Sequence, residues 1–343
     1  MTELPPSAVA AELARYAALT RSAMEEFLVL GRPSEYLYEL IREYPDRGGK
    51  GIRPAVLLAT CQAYGGEVDE GVRAAVSLEM LHNAFLIHDD IEDNSPLRRG
   101  LPTLHDRHGL GLALNAGDAL ASLALQPVRA DSGLTGRLRD TLISEFSTVI
   151  RHTTEGQALE LGWRRDEVAD LVPSDYIELA GKKTCWYTTV APLRMGAIIG
   201  SHGMATLGAL SRFGFYLGLA FQTRDDLLDV ERDSPHGKAP LGDIREGKHT
   251  LLLIHLMTTI DIDERSWLAD FLRTSSAAKT AADCARVLSM MEQHGSVDFA
   301  REFEADMAAA ARATIGPAFA DVPPSAHVDF LRGLVEFVVD RRS

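Results

Sequence analysis

Cysteine is scarce in this chain of 343 residues, and long apolar runs and strand signals are missing. The three cysteines, Cys61, Cys185 and Cys284, are scattered without metal or redox spacing. That excludes a disulfide framework and a thiolate metal cluster, and fits small buried thiols in a reducing compartment. Basic residues are outnumbered by acidic ones, 35 to 49, for a formal net charge of −14. Such a charge argues against nucleic-acid binding and against adhesion to anionic membranes. No apolar run reaches the roughly 18 residues that a membrane span needs, so no stable membrane insertion is expected. The N-terminus lacks a basic stretch followed by an apolar core, so no signal peptide is expected and the protein reads as cytoplasmic. Convincing strand alternation is absent, and so are Asn-Gly and Asp-Gly hairpin signals. No Ser- or Cys-based nucleophilic triad is recognisable.

Helical patterning is abundant. Apolar residues make up 46% of the chain, which marks it as globular rather than disordered. Residues 8–29, 69–93, 107–126, 134–162, 173–200 and 203–230 carry helical spacing, rich in Ala, Leu, Met and Glu. The long stretches from residue 69 onward are too apolar for surface helices and are expected to pass through a core. Leu251–Leu256 has the content of a strand, but its neighbours favour a buried helix. Breaks fall at 45–54, 94–104, 128–136, 164–174, 232–247 and 322–326, where Gly, Pro and Asp cluster. None resembles a flexible linker. The reading is one all-α domain over 1–343, with a smaller helical portion from about residue 260.

Within this pattern an aspartate cluster occurs twice. Asp89, Asp90 and Asp93 follow one apolar run; Asp225, Asp226 and Asp229 follow another. On a helix, Asp89 and Asp93 lie one turn apart on the same face, as do Asp225 and Asp229. An isolated like-charge pair at that spacing is unfavourable by about 0.2–0.5 kcal/mol, so something cationic should lie between them. Carboxylate pairs suit Mg²⁺, which keeps several waters and shares its shell with substrate phosphates. One acidic run alone is usually a solvated face. Two with identical spacing, each ending an apolar helix, point to a magnesium site for a diphosphate.

Basic residues gather in the breaks. Lys50 and Arg53 sit at a helix entry among Gly48, Gly49, Gly51 and Pro54, where backbone can approach an anion. Arg98 and Arg99 follow Asp93 closely. Lys182 and Lys183 interrupt an apolar helix, and Lys238 and Lys248 flank the loop after the second cluster. Each alone reads as a solvated base. Together they flank both carboxylate clusters, as binding of two diphosphates requires.

With these motifs in place, the chain resembles the trans-isoprenyl diphosphate synthases, the polyprenyl synthetase family. The matching residues run in order: Gly48-Gly49-Lys50 to Arg53-Pro54, Leu86 to Asp90, Arg98-Arg99-Gly100, Pro102-Thr103, His105, Gly117-Asp118, Gly156-Gln157, Lys183-Thr184, Phe221-Gln222, and Gly247-Lys248 with Thr250. The resemblance implies a single large helical bundle of the isoprenoid-synthase type around a central apolar cavity. It implies Mg²⁺-dependent head-to-tail condensation of isopentenyl diphosphate with an allylic diphosphate. By resemblance, Lys50, Arg53, His82 and Arg99 hold isopentenyl diphosphate. Arg98, Lys183, Gln222, Lys238 and Lys248 face the allylic diphosphate, and Thr184 is a further substrate-binding residue. The residues expected to carry catalysis are Asp89, Asp93, Asp225 and Lys183, and the six aspartates Asp89, Asp90, Asp93, Asp225, Asp226 and Asp229 hold three Mg²⁺ ions. A homodimer is implied as well. His82 has a plain alternative as a satisfied core histidine, and Thr184 as a helix residue bonding back to a carbonyl.

Two positions depart from the family pattern. Gly51 stands where many members carry Arg or Lys, and Glu160 where Asp is usual in Gly-Gln-x-x-Asp. Product length is expected to follow the depth of the pocket below the first cluster. Ala84 and Phe85, five and four residues before Asp89, are the candidate stops. Small Ala84 with bulky Phe85 favours a C20 product, geranylgeranyl diphosphate, over C15 and C25. The competing classes are a class I terpene cyclase and a non-catalytic partner subunit. The first would carry an Asn/Ser/Glu-type second motif in place of Asp225-Asp226-x-x-Asp229. The second would usually have lost one cluster.

Overall fold

The helix Val68–Glu92 runs through the middle of the molecule and ends on the first aspartate cluster. Its entry is fixed by Glu70, whose carboxylate reaches back 2.9 Å to accept the Glu67 backbone N–H. Small residues Ala74, Ala75 and Ala84 are fully or nearly fully buried along it. The computed structural model describes residues 4–231 and 241–339 of the chain. Helices dominate the described residues, and the expected all-α class holds.

Ile52–Ala63 packs beside the central helix and is buried on nearly every face, as its unbroken apolar content demands. Gly51 precedes it in left-handed conformation, φ +63°. A Cβ there would lie 2.5 Å from the Cβ of Ala17, so the turn at this point has room only for glycine. The departure from the family's usual Arg or Lys therefore goes with a close approach of Pro6–Met24.

The expected helix over 203–230 is Gly208–Val230, which carries the second cluster. The segment 173–200 is helical but not uniform. Pro173–Ala180 leads into a π-helix, Gly181–Val190, and then Ala191–Gly200. Two flanking glycines let neighbouring helices approach this widened turn. A Cβ on Gly156, in helix Gly136–Arg165, would meet the Lys183 backbone N at 2.4 Å. One on Gly218 would meet the Cys185 Cα at 2.8 Å.

The break at 94–104 holds a feature that sequence patterning misses. Leu97–Arg98 and Leu101–Pro102 form an antiparallel hairpin. Strands of two residues are too short to show alternation. Arg99 and Gly100 between them both have positive φ, +56° and +75°, the signature of a type I′ turn.

Buried apolar residues form two clusters. One gathers around Ile52–Ala63, Val68–Glu92 and Ala191–Gly200 and takes in the last helix, Ala326–Val339. The other lies around Leu251–Thr259 and Ala281–Gln293. Leu251–Leu256 is helical, as its neighbours predict.

Candidate active site

Both aspartate helices end at one cavity of about 480 Å³. Asp89, Asp225, Asp226 and Asp229 line it, with Arg53, His82, Lys183, Thr184, Gln222 and Lys248. Phe85, Leu86, Leu179, Tyr187 and Phe221 supply its apolar wall. Charged and polar groups thus share one chamber with an apolar wall.

The first cluster is laced to cations. Arg98 donates from Nε to Asp90 Oδ1 at 2.8 Å and from Nη2 to Asp89 Oδ2 at 3.1 Å. The hairpin turn places Arg98 over both carboxylates. Asp90 is fully buried, is absent from the cavity lining, and also accepts the Tyr44 hydroxyl. Burial pushes the Asp90 carboxyl above the usual range, and Arg98 and Tyr44 oppose that push. Asp93 is buried and absent from the cavity lining. Its carboxylate forms ion pairs with Arg164 at 2.9 Å and Lys248 at 2.8 Å. Lys183 Nζ lies 3.5 Å from Asp89 and 2.8 Å from Glu160. Burial would lower the Lys183 ammonium, but Glu160 and Asp89 more than offset this and hold it above its ordinary value. Glu160, the departure from the family's Asp, thus reaches the lysine directly.

In the second cluster, the named side-chain donors to Asp226 are neutral. Tyr176 donates its hydroxyl to Asp226 Oδ2 at 2.8 Å, and Gln222 donates from Nε2 to Oδ1 at 2.7 Å. Thr184 in turn donates to Gln222 Oε1 at 2.8 Å rather than to a backbone carbonyl. Burial drives the Asp226 carboxyl well above its usual range, and Asp243 pushes it further. Asp229 accepts the backbone N–H groups of Gly242 and Asp243 at 3.1 and 2.9 Å, at the start of Gly242–Glu246.

At the other side of the cavity, Arg53 Nη1 lies 3.3 Å from His82 Nε2, and Nη2 donates to Thr188 Oγ1 at 2.9 Å. Burial, reinforced by Arg53, lowers His82 well below its ordinary value. The ring is therefore neutral, and Nε2 is its acceptor. Arg53 Nε is buried and has no acceptor among the described residues. Arg99 lies beneath the glycine loop: a Cβ on Gly49 would sit 2.8 Å from its Nη2. Glu79 shares this neighbourhood; burial raises its carboxyl, and Arg53, Arg99 and Arg21 pull it back. Lys50 is exposed on the same loop and, like Arg98 and Arg99, is not in the cavity wall. Phe85 lines the cavity, whereas Ala84 is fully buried in the core. Lys238 lies outside the described residues.

Several site residues escape sequence reasoning. Arg164 had a signal: Gly156, Glu160 and Arg164 follow at four-residue steps on one helix face. Glu92, which accepts Gln157 Nε2 at 2.6 Å, also lines the cavity. Tyr44, Tyr176 and Thr188 had none, because each reaches the site from a distant segment.

The donor set fits magnesium in a particular way. Among the described residues, no three carboxylate, imidazole or thiol groups lie together tightly enough to hold an ion alone. Asp89, Asp225 and Asp229 instead offer oxygens around a shared space. That suits an ion whose shell is completed by water and phosphate, as Mg²⁺ prefers.

Comparison with known proteins agrees with this site. The polyprenyl synthetase family pattern matches residues 34–291. The chain is 34% identical over 261 residues to geranylgeranyl diphosphate synthase of Saccharolobus solfataricus, covering 75% of this chain and 77% of that protein. It is 31% identical over 342 residues to geranylfarnesyl diphosphate synthase of Natronomonas pharaonis, covering 94% and 95%. Among solved structures, geranylgeranyl pyrophosphate synthetase of Pyrococcus horikoshii superposes with a TM-score of 0.86 at 30% identity, over 98% of this chain and 99% of that one. The chain belongs to the polyprenyl synthetase family and is a prenyltransferase. Prenyl synthases use isopentenyl diphosphate and an allylic diphosphate, and they generally depend on Mg²⁺. No helix among the described residues is long and apolar enough to cross a membrane.

Proposed function

We propose that this protein joins isopentenyl diphosphate to an allylic diphosphate and releases geranylgeranyl diphosphate. The observation that carries the reading is the single cavity. Carboxylates from two distant motifs, cations and an apolar wall all face it. Asp89, Asp225, Asp226 and Asp229, with Asp93 buried beside them, would hold magnesium against the allylic diphosphate. When bound, the metal offsets charge that grows on the leaving diphosphate. Lys183 and Lys248, both kept protonated by neighbouring carboxylates, add positive charge at the same end. Arg53, His82, Arg99 and Lys50 hold isopentenyl diphosphate on the opposite side. As the allylic C–O bond breaks, Phe85, Tyr187 and Phe221 keep water from the cationic carbon. The isopentenyl double bond forms the new C–C bond to that carbon, and a proton leaves to the departing diphosphate.

A C20 product accords with the relatives named as geranylgeranyl synthases and with Phe85 in the cavity wall. The geranylfarnesyl relative, which aligns along nearly its whole length, supports C25 as the second reading. The three cysteines are free and buried, consistent with a cytoplasmic setting. Leu110 and Leu114 are exposed one turn apart, which favours a homodimer. The last helix packs back on Pro6–Met24 and Ile52–Ala63, as one catalytic domain over 1–343 requires.

The test is incubation with isopentenyl and farnesyl diphosphates and Mg²⁺, followed by sizing of the dephosphorylated alcohols. A C20 alcohol supports the reading. A C25 alcohol moves it to the alternative, and no elongation in the presence of Mg²⁺ rejects it. Light scattering checks the dimer, and a monomer at micromolar concentration would contradict it.

A further inference from the structure

The π-helix carries Lys183 at its start and Thr188 near its end, and the two serve different ends of the cavity. Thr188 is fully buried. Helical threonines in this protein commonly donate to the carbonyl four residues back, as Thr20, Thr60 and Thr189 do. Thr188 makes no such bond among the described residues. Its hydroxyl oxygen accepts from Arg53 Nη2 at 2.9 Å. The neighbouring Tyr187 places its ring under the same guanidinium, 4.1 Å from ring centroid to Cζ. Tyr187 in turn meets Phe85 edge-on, with centroids 6.0 Å apart. His82 takes the other terminal nitrogen of Arg53. The guanidinium is thus gripped at both terminal nitrogens and across its face.

We propose that Thr188 is a positioning residue for Arg53, acting with Tyr187, and that it sets affinity for isopentenyl diphosphate without touching that substrate. The inference rests on the placement of isopentenyl diphosphate at Arg53 given above. An arginine fork binds diphosphate oxygens well only when its plane is fixed. In a buried site, removing the acceptor leaves an Nη2 donor without a partner, and the side chain turns away to find one. The π-helix therefore links the two substrate positions: its first turn presents Lys183 to one diphosphate, and its second orients Arg53 for the other.

The test compares wild type, Thr188→Val, Thr188→Ser, Arg53→Ala and the Arg53→Ala/Thr188→Val double variant. Each is assayed with Mg²⁺ while isopentenyl diphosphate varies at saturating farnesyl diphosphate, and then the reverse. Thr188→Val should raise KM for isopentenyl diphosphate about tenfold, the loss expected for a charge-assisted bond. KM for farnesyl diphosphate should move less than about twofold. Thr188→Ser, which keeps the hydroxyl, should stay within about twofold of wild type on both. In the Arg53→Ala background, Thr188→Val should add nothing. If Arg53→Ala raises KM for isopentenyl diphosphate but Thr188→Val does not, the positioning role is overturned and the substrate placement stands. If Arg53→Ala has no such effect, the placement itself falls, and the role with it. An equal rise in both Michaelis constants also overturns it, because that marks a general structural defect. Thermal melts confirm folding; should Thr188→Val not fold, Thr188→Ala is held to the same criteria.

Discussion

In the first aspartate motif, Asp90 is held by Tyr44 and by the guanidinium of Arg98; in the second, Asp226 is held by Tyr176 and the amide of Gln222. Each motif gives one carboxylate to a tyrosine from another helix, but Asp226 still lines the cavity beside Asp225 and Asp229, whereas Asp90 does not. The difference lies in charge. Asp90 shares its burial with a cation, whereas the named donors to Asp226 are neutral. Arg98 is brought there by the hairpin, for which the second motif shows no counterpart among the described residues. Identical letters in sequence therefore have unequal electrostatic roles. In the first motif Asp90 is anchored by a charge pair, and in the second the named anchors of Asp226 are neutral donors.

The largest effect should come where the motifs act alike. Asp89→Ala and Asp225→Ala are each expected to lower turnover by about two to three orders of magnitude, or ~3–4 kcal/mol of transition-state stabilisation. Single-turnover rates with Mg²⁺ read this out. Near-normal rates in one variant only would mean that the two motifs are not partners.

The comparison breaks most clearly at the middle aspartates. Asp90→Asn leaves buried Arg98 charged with one partner fewer, which should cost about 3 kcal/mol of stability in urea titration. Asp226→Asn should do the reverse and raise the melting temperature of metal-free protein at pH 7 by roughly 2–4 °C. The sign follows from the raised carboxyl. The folded chain keeps the Asp226 proton at pH values where the unfolded chain has released it, near about 3.9. Stability from that group is therefore complete below about pH 3.9 and is lost as pH rises toward the folded value. Equal shifts in both variants would show that the two environments are not distinct.

Smaller effects should separate the substrates. Lys50→Ala and Arg53→Ala are expected to raise KM for isopentenyl diphosphate about tenfold, and Lys183→Ala and Lys248→Ala that for the allylic substrate. Smallest is the expected change in product. Phe85 lines the cavity, so Phe85→Ala should lengthen the alcohol chain by one isoprene unit. Ala84 is fully buried in the core, so Ala84→Phe should first cost about 1–3 kcal/mol through overpacking.

Much of this was legible in the chain. The helical class follows from long stretches with helical spacing, and the clusters announced themselves by repetition. Gly156 and Lys183 stand where the family pattern places them, and Gly51 departs from that pattern where a positive φ and a close helix leave room only for glycine. What was not legible is which way each carboxylate turns. Asp89 and Asp90 are adjacent, yet one lines the cavity and the other lies buried against Tyr44. Helix periodicity separates their faces but does not say what fills them. The hairpin that aims Arg98 and Arg99 apart is too short to leave a pattern, and the π-turn that brings Thr188 to Arg53 depends on packing against Gly156 and Gly218.

The two motifs are expected to act as one site. Isothermal titration of a non-ionisable farnesyl diphosphate analogue into wild type, Asp89→Ala and Asp225→Ala, with and without Mg²⁺, tests it most directly. Tight binding should require Mg²⁺ in wild type and should be lost in both variants. Magnesium-dependent binding of undiminished affinity in Asp225→Ala would contradict it.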